Sequence, residues 1–276
     1  MHVNLPDCYH PGLPATIPGR RFARNLVEKR TLIVQLVKRD FHQRYVGSSA
    51  GWVWGLIHPL VLLASYTFIF DICMKSGQKH YPLVLFSGML PWLLFAETVQ
   101  RSSGSLVEHA NLITKTLFPS EIVPIAVFLS LLVSHLLTVV LFAMVAGLIL
   151  GHMNPMLVMV PVFVLFLGMF AIGLGWVTAA LQVYIRDTAQ VVTVVMTFWM
   201  WVTPLFLQES QFPSWGKFVI RANPLAYVVR GYREMLLGQA VPSVGDLGAI
   251  AVFGTVSFVL GGLVFRHLKR GFADVL

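Results

Sequence analysis

A chain of 276 residues with 57% hydrophobic and 12% charged residues carries only half the charge of an ordinary soluble protein, in which about a quarter of the residues are charged. This composition excludes a soluble globular domain and indicates an integral membrane protein. A net charge of +8 would also suit nucleic-acid binding. The basic residues flank apolar stretches, however, so we expect them to contact anionic membrane lipids and expect no nucleic-acid partner.

The N-terminal 50 residues are the most basic part of the chain. Residues 1–19 contain four prolines and no apolar core, which predicts a flexible tail and no cleavable signal peptide. Eight lysines and arginines follow between Arg20 and Arg44, while apolar residues fall near one helical stripe. We therefore predict that residues 20–50 form an amphipathic helix that lies in the membrane interface.

Residues 51–276 contain six apolar segments. A helix of about 20 residues crosses a hydrocarbon core of roughly 30 Å. The segments are Trp52–Cys73, Tyr81–Arg101, Glu121–Leu150, Pro155–Ile185, Thr188–Leu207 and Leu247–Phe265. We predict an all-α integral membrane protein in which one domain contains six transmembrane helices.

The loop charges predict the orientation. Fourteen lysines and arginines fall on the side that carries both termini, and six fall on the opposite side. Because cytoplasmic loops are enriched in positive charge, both termini are predicted to be cytoplasmic. Cys8 and Cys73 then lie on opposite sides of the membrane, and no disulfide is expected.

Two segments between the spans contain further predicted helices. Residues 106–118 form a short amphipathic pattern on the cytoplasmic side that stops at Pro119. It is either a partner-binding helix or a plain connection. On the outer side, residues 208–238 contain two apolar pieces, split at Asn223-Pro224, that are too short to span. Because broken backbone inside a membrane needs protein or water around it, we predict re-entrant helices beside an outward-facing cavity.

Sequence signatures of catalysis are missing. The chain has no G-x-x-x-x-G-K-[ST] phosphate loop, no H-x-x-x-H pair and no clustered carboxylates. We therefore expect no enzyme activity and no metal or other cofactor in this chain. A membrane transferase acting on polyprenyl-linked sugars remains a distant alternative. Glu97 and Arg101, four residues apart on a predicted helix, are interpreted as a structural ion pair in preference to an ion-transport site.

Aromatic residues are denser in the first and fifth spans than a boundary belt requires. Flat aromatic faces stack on the C–H faces of sugar rings, so these residues are candidates for lining a glycan path. The alternative is that they face lipid or fill the bundle core. The candidates are Tyr66, Phe70, Trp199, Trp201 and Phe206.

The sequence resembles the membrane permease of type-2 ATP-binding-cassette polysaccharide exporters, the branch that exports O-antigen, capsule or teichoic-acid chains. The matching residues follow the family's order along nearly the whole chain. They are Arg39-Asp40-Phe41, Arg44-Tyr45-x-Gly47-Ser48, Gly51-x-x-Trp54, Pro59, Asn111-Leu112-Ile113, Lys115, Phe118-Pro119, Arg186-Asp187-Thr188, Asn223-Pro224-Leu225, Tyr232-Arg233 and the tail Phe265–Leu276.

The resemblance implies a homodimer that works with two copies of a separate ATPase, which binds the ATP and Mg²⁺. It implies export of a lipid-linked polysaccharide across the inner membrane of a bacterium, with a drug or lipid exporter of the same superfamily as the alternative. It places the ATPase-coupling helix at residues 106–118 and the outer gate at 208–238, including Asn223 and Pro224. The coupling residues are then Leu106, Glu108, His109, Ile113 and Lys115.

Substrate entry is assigned to the end of the interfacial helix. Lipid-linked glycans carry phosphate or pyrophosphate at the membrane surface, and the planar arginine fork suits phosphate oxygens. The candidate headgroup residues are Arg39, Arg44 and Tyr45. Plain anchoring to lipid headgroups is the competing explanation.

Overall fold

The computed structural model describes residues 29–45, 51–73, 80–115, 118–206, 209, 212–238 and 241–275. These residues are all-helical and contain no strand, as the sequence predicted. The predicted tail at 1–19 lies outside the described residues, as do 20–28 and 46–50 of the predicted interfacial helix.

We number the α-helices of the described residues in chain order. They are α1 (Arg30–Tyr45), α2 (Trp54–Thr67), α3 (Tyr81–Glu108), α4 (Ala110–Lys115), α5 (Ile122–Leu150), α6 (Val160–Tyr184), α7 (Thr188–Val202), α8 (Ser214–Ala222), α9 (Pro224–Leu237), α10 (Val244–Leu268) and α11 (Phe272–Val275).

Four of these helices, α3, α5, α6 and α10, are long and apolar enough to cross a membrane. The other two predicted spans are interrupted. Helix α2 has 14 residues and continues as a π-helical segment, Phe68–Cys73. Helix α7 has 15 residues and ends at Val202, because the ring of Pro204 disfavours helical backbone at Thr203, which is extended.

The core forms where α6 packs between α3 and α10. Small residues permit the closest approach, since a Cβ atom built on Gly261 would lie 2.1 Å from the carbonyl oxygen of Gly173. Helix α1 packs outside this core on the start of α5, where Leu36 is buried with Ile122 and Ala126.

The helix ends meet in two groups, which define the two ends of the bundle. At the Glu121 end, the Lys269 ammonium contacts the Glu121 carboxylate, and α4 packs on α11. At the Asn223 end, the Tyr81 hydroxyl donates to the Phe206 carbonyl over 3.2 Å.

Candidate functional site

A cavity of about 430 Å³ lies among α1, α2, α3, α5 and α7. Charged and polar side chains share its wall with tryptophan, leucine and methionine side chains. The lining residues are Arg44, Trp54, Gly55, His58, Leu90, Trp92, Leu93, Leu94, Ala96, Glu97, Gln100, Leu131, Ser134, His135, Thr138, Met196, Thr197 and Met200. The mixture suits a ligand with a charged head and an apolar portion.

Four charged residues join α1 to α3 beside this cavity. Asp40 accepts from Arg101 over 2.6 Å and from Arg44 over 3.2 Å. Arg44 also approaches Glu97, with 3.7 Å between Nη1 and Oε1. The structure therefore pairs Glu97 and Arg101 with residues of α1, and not with each other as the sequence suggested.

Sequence reasoning assigned no role to Asp40. The sequence feature that could have identified Asp40 as an ion-pair partner is its position four residues before Arg44 on one helix. Opposite charges meet at this spacing. Of the three predicted headgroup residues, Arg44 is partly buried at the cavity and Arg39 is exposed on α1. The side chain of Tyr45 lies outside the described residues. Of the two headgroup candidates whose side chains the structure describes, Arg44 lies in the cavity wall and Arg39 does not.

A buried hydrogen bond connects the cavity with α9. His135 lines the cavity, and its Nε2 lies 2.9 Å from the hydroxyl of Tyr232. Tyr232 is fully buried, so this pair fixes α9 against the middle of α5. The family motif had singled out Tyr232, but no sequence pattern predicted His135 as its partner.

The predicted path aromatics do not share one environment. Phe206 is buried and contacts Tyr66 and Trp201, with ring centroids 4.7 and 4.9 Å apart. Trp199 is half-buried and packs edge-on against Phe95 in the core. Trp201 is 53% exposed. The side chain of Phe70 lies outside the described residues, so Trp201 is the clearest exposed aromatic among the described candidates.

Asn223 joins the end of α7 to the start of α9. Its side-chain oxygen accepts from the Leu225 backbone N–H over 3.1 Å and from the Trp199 indole over 3.0 Å. Its amide nitrogen donates to the Thr203 hydroxyl over 3.0 Å. Pro224 follows at the first helical position, where the missing N–H costs nothing. The predicted outer gate, residues 208–238, is thus attached to α7 by the buried side chain of Asn223.

Two arginines hold α9 at the Asn223 end. Arg230 lies between Glu209, at 3.3 Å, and Asp246, at 3.1 Å. Arg233 donates to the Leu205 carbonyl over 2.7 Å and also reaches the Val84 carbonyl. Burial lowers the pKa of Arg233 to about 10, so its side chain stays charged near neutral pH. These contacts connect α9 to α3 and α10.

The predicted coupling segment consists of the end of α3, a turn at His109 and α4. Leu106 is fully buried in the core, so its side chain is not part of the accessible surface. Ile113 is half-buried against the same core, whereas Glu108 is exposed. His109 bonds through Nδ1 to the Ser105 carbonyl over 2.8 Å. The side chain of Lys115 lies outside the described residues.

The exposed surface of the coupling segment differs from the one predicted. Asn111 and Thr114 of α4 are exposed, together with Val107 and Glu108 at the end of α3. Helical spacing predicted an apolar stripe on this segment, and the family resemblance assigned the segment to the ATPase contact. The structure turns Leu106 and, partly, Ile113 inward, because α3 continues as one helix through residue 108.

Comparison with known proteins places these features in a family. The ABC-2 type transporter family profile matches residues 31–237, about three-quarters of the chain. The chain is 27% identical over 257 residues to the O-antigen export system permease protein RfbA of Myxococcus xanthus, which covers 92% of this chain and 98% of that protein. It is 26% identical over 248 residues to a protein of the same name from Klebsiella pneumoniae, covering 89% and 95%.

Proposed function

The chain belongs to the ABC-2 type transporter family, and we propose that it is the transmembrane subunit of an exporter of lipid-linked polysaccharide, either an O-antigen or a capsular polysaccharide. Family membership makes it a transporter permease and not an enzyme. The single observation that carries the choice of substrate is the likeness to O-antigen export permeases over almost the whole length of both chains.

The cavity supports this substrate class. A lipid-linked polysaccharide has an anionic phosphate head between an apolar lipid and a sugar chain. Arg44 offers guanidinium donors at one side of the cavity, while Trp54 and Trp92 offer aromatic surface. Of the two ion pairs described between α1 and α3, the one between Arg44 and Glu97 is the longer, and Glu97 is half exposed. We propose that a substrate phosphate displaces Glu97 from Arg44 on entry.

The proposed assembly follows from the family and the charge distribution. Two copies of this chain form the membrane pore, and two copies of an ATP-binding-cassette ATPase supply the energy. The Glu121 end faces the cytoplasm, because it lies beside the basic C-terminus and the basic helix α1. In the six-span arrangement, α2 with its π-helical segment and α7 complete the bundle in the inner membrane.

The outer gate is proposed at α8 and α9. These helices are short, meet at Asn223 and are attached to α7, the helix that carries Trp199 and Trp201. In a dimer, two copies of this hairpin face the mouth of the pore. Opening then requires α7 and α9 to move together, since Asn223 binds both.

Deletion of the gene in its host tests the proposed function. We expect lipid-linked polysaccharide to accumulate at the cytoplasmic face and to disappear from the cell surface, with recovery when the wild-type gene is supplied. Unchanged surface polysaccharide would contradict the proposal. If the deletion strain instead becomes sensitive to drugs, the chain is the drug-exporting alternative.

A further inference from the structure

The C-terminal segment Lys269–Val275 packs against the part of the chain that leads into and out of α4. The family resemblance includes this tail without implying a role for it. Helix α11 contacts both α4 and α6. The C-terminus therefore lies beside the helix that the proposed function assigns to ATPase coupling.

An aromatic anchor fixes this segment. Phe272 is 2% exposed, and its ring lies 5.6 Å from that of Phe265 and 6.2 Å from that of Tyr184. The Tyr184 hydroxyl donates to the Leu268 carbonyl over 2.7 Å. A Cβ atom built on Gly271 would lie 2.6 Å from the same hydroxyl, so a side chain at this position would displace either the Tyr184 hydroxyl or the turn. The segment Lys269–Val275 therefore packs on the end of α6.

A charged contact attaches the same segment to Glu121, which follows the coupling segment and directly precedes α5. Lys269 Nζ lies 2.5 Å from Glu121 Oε2, one residue before α5 begins. The Trp176 indole of α6 donates to the Glu121 carbonyl over 2.9 Å. Ser120, next to it, is fully buried. Glu121 is therefore attached to both α6 and the C-terminal segment, six residues beyond the end of α4 at Lys115.

We infer that Lys269 and Phe272 are positioning residues for energy coupling: they hold α4 in the place where it receives the movement of the ATPase. This inference depends on the proposed function, because it assumes that α4 contacts the ATPase. Force applied to α4 reaches the bundle only if α4 does not shift alone. The contact with α11 on one side and the Lys269–Glu121 bond on the other resist such a shift.

The experiment uses the full-length permease, alone for the spin-label measurement and assembled with its ATPase for the export measurement. The variants are Lys269→Gln and Phe272→Ala, and Phe272→Leu is the conservative replacement. Val275→Ala is the matched control, because Val275 lies on the same helix and is 50% exposed. A spin label on Asn111→Cys, with Cys8 and Cys73 replaced by serine, reports the mobility of α4 in the permease alone, because Asn111 lies on the surface proposed to receive the ATPase. The second measurement is the number of ATP molecules hydrolysed per polysaccharide exported.

We expect the label to become more mobile in Lys269→Gln and Phe272→Ala and to stay unchanged in Val275→Ala. ATP consumed per export event rises about fivefold or more, the lower range of measured allosteric couplings. In Phe272→Leu, the number of ATP molecules hydrolysed per polysaccharide exported stays close to that of the wild type. General destabilisation lowers hydrolysis and export together and leaves their ratio constant. If Phe272→Ala does not assemble, Lys269→Gln and Glu121→Gln make the same test.

Unchanged label mobility together with an unchanged ratio would overturn the inference. Failure of the proposed function has a different signature, since the wild-type complex would then export no polysaccharide. In that case the spin label still tests whether the C-terminal segment holds α4 in place, because the mobility of the label does not depend on the substrate.

Discussion

The indole N–H of Trp199 donates to the side-chain oxygen of Asn223 over 3.0 Å, which ties the end of α7 to the start of α9. Trp199→Phe removes this donor and keeps most of the ring. We expect a loss of about 1 kcal/mol of unfolding free energy for one hydrogen bond. Asn223→Ala removes the cap of α9 as well, and caps alone contribute about 0.5–2 kcal/mol. Melting temperatures of the purified variants measure both effects.

Trp201→Phe is the matched control for Trp199→Phe, because Trp201 is half exposed and lies on the same helix. A double variant separates the bond from other effects. If Trp199 and Asn223 act through their mutual bond, the two losses do not add. Fully additive losses would show that the bond contributes nothing.

The two environments of the aromatic residues predict two different phenotypes. Phe206→Ala empties a buried position between Tyr66 and Trp201, so it lowers stability by roughly 3–5 kcal/mol. Trp201→Ala removes a half-exposed ring that contacts Phe206 on one side, so it lowers stability less than Phe206→Ala does. If Trp201 contacts the moving glycan, export per folded dimer falls in this variant. Export normalised to dimer content measures it, and a wild-type normalised rate would remove Trp201 from the path.

Arg44 and Arg39 provide a matched pair on α1. Arg44 lines the cavity and contacts Asp40 and Glu97, whereas Arg39 is exposed. Arg44→Lys keeps the charge but loses the fork that binds two oxygens at once. We expect export to fall about tenfold, corresponding to the loss of one charge-assisted hydrogen bond of roughly 1.4 kcal/mol. Arg39→Lys leaves export unchanged. Equal export in Arg44→Lys and Arg39→Lys would show that Arg44 only anchors the chain to lipid headgroups.

The sequence predicted the helical class and the positions of the four long apolar helices, because long apolar runs have few alternatives in a membrane. It did not predict where α7 ends, since the effect of Pro204 competes with an apolar run that continues to Leu207. It also did not predict the partners of Arg101. Asp40 is 61 residues away in sequence, and only the packing of α1 on the bundle brings the two together.

Leu106 is a second example of a contact that the sequence pattern does not predict. Its spacing with Ile113 is that of an exposed amphipathic stripe, but the stripe of a short helix does not reveal which neighbour covers it. Here the neighbour is the core of the same chain. Periodicity identifies an apolar face, and tertiary contacts decide what that face binds.

The single described cysteine tests the orientation. Cys73 is exposed at the end of the π-helical segment that follows α2. If both termini are cytoplasmic, a membrane-impermeant thiol reagent added to intact spheroplasts modifies Cys73 and spares Cys8. Cys73→Ser abolishes the labelling and serves as the control. Labelling of Cys8 in intact spheroplasts would invert the orientation.

The ATPase is proposed to contact the exposed surface of α4. Ile113→Asp is a poor probe of that surface, because Ile113 packs partly against the core and its replacement also lowers stability. Asn111 is exposed on α4, so Asn111→Trp adds bulk outward without disturbing the bundle. Val158→Trp is the control, since Val158 is 78% exposed and lies in the loop between α5 and α6 at the opposite end.

We expect Asn111→Trp to weaken ATPase binding by about 2 kcal/mol, the lower bound for an interface hot spot and roughly a 30-fold change in affinity. Co-purification of the ATPase with tagged permease measures the binding, and the melting temperature of the permease alone shows that the fold is intact. Val158→Trp binds the ATPase like wild type. If Asn111→Trp does the same, α4 only connects α3 to α5, and the ATPase contacts another part of the Glu121 end.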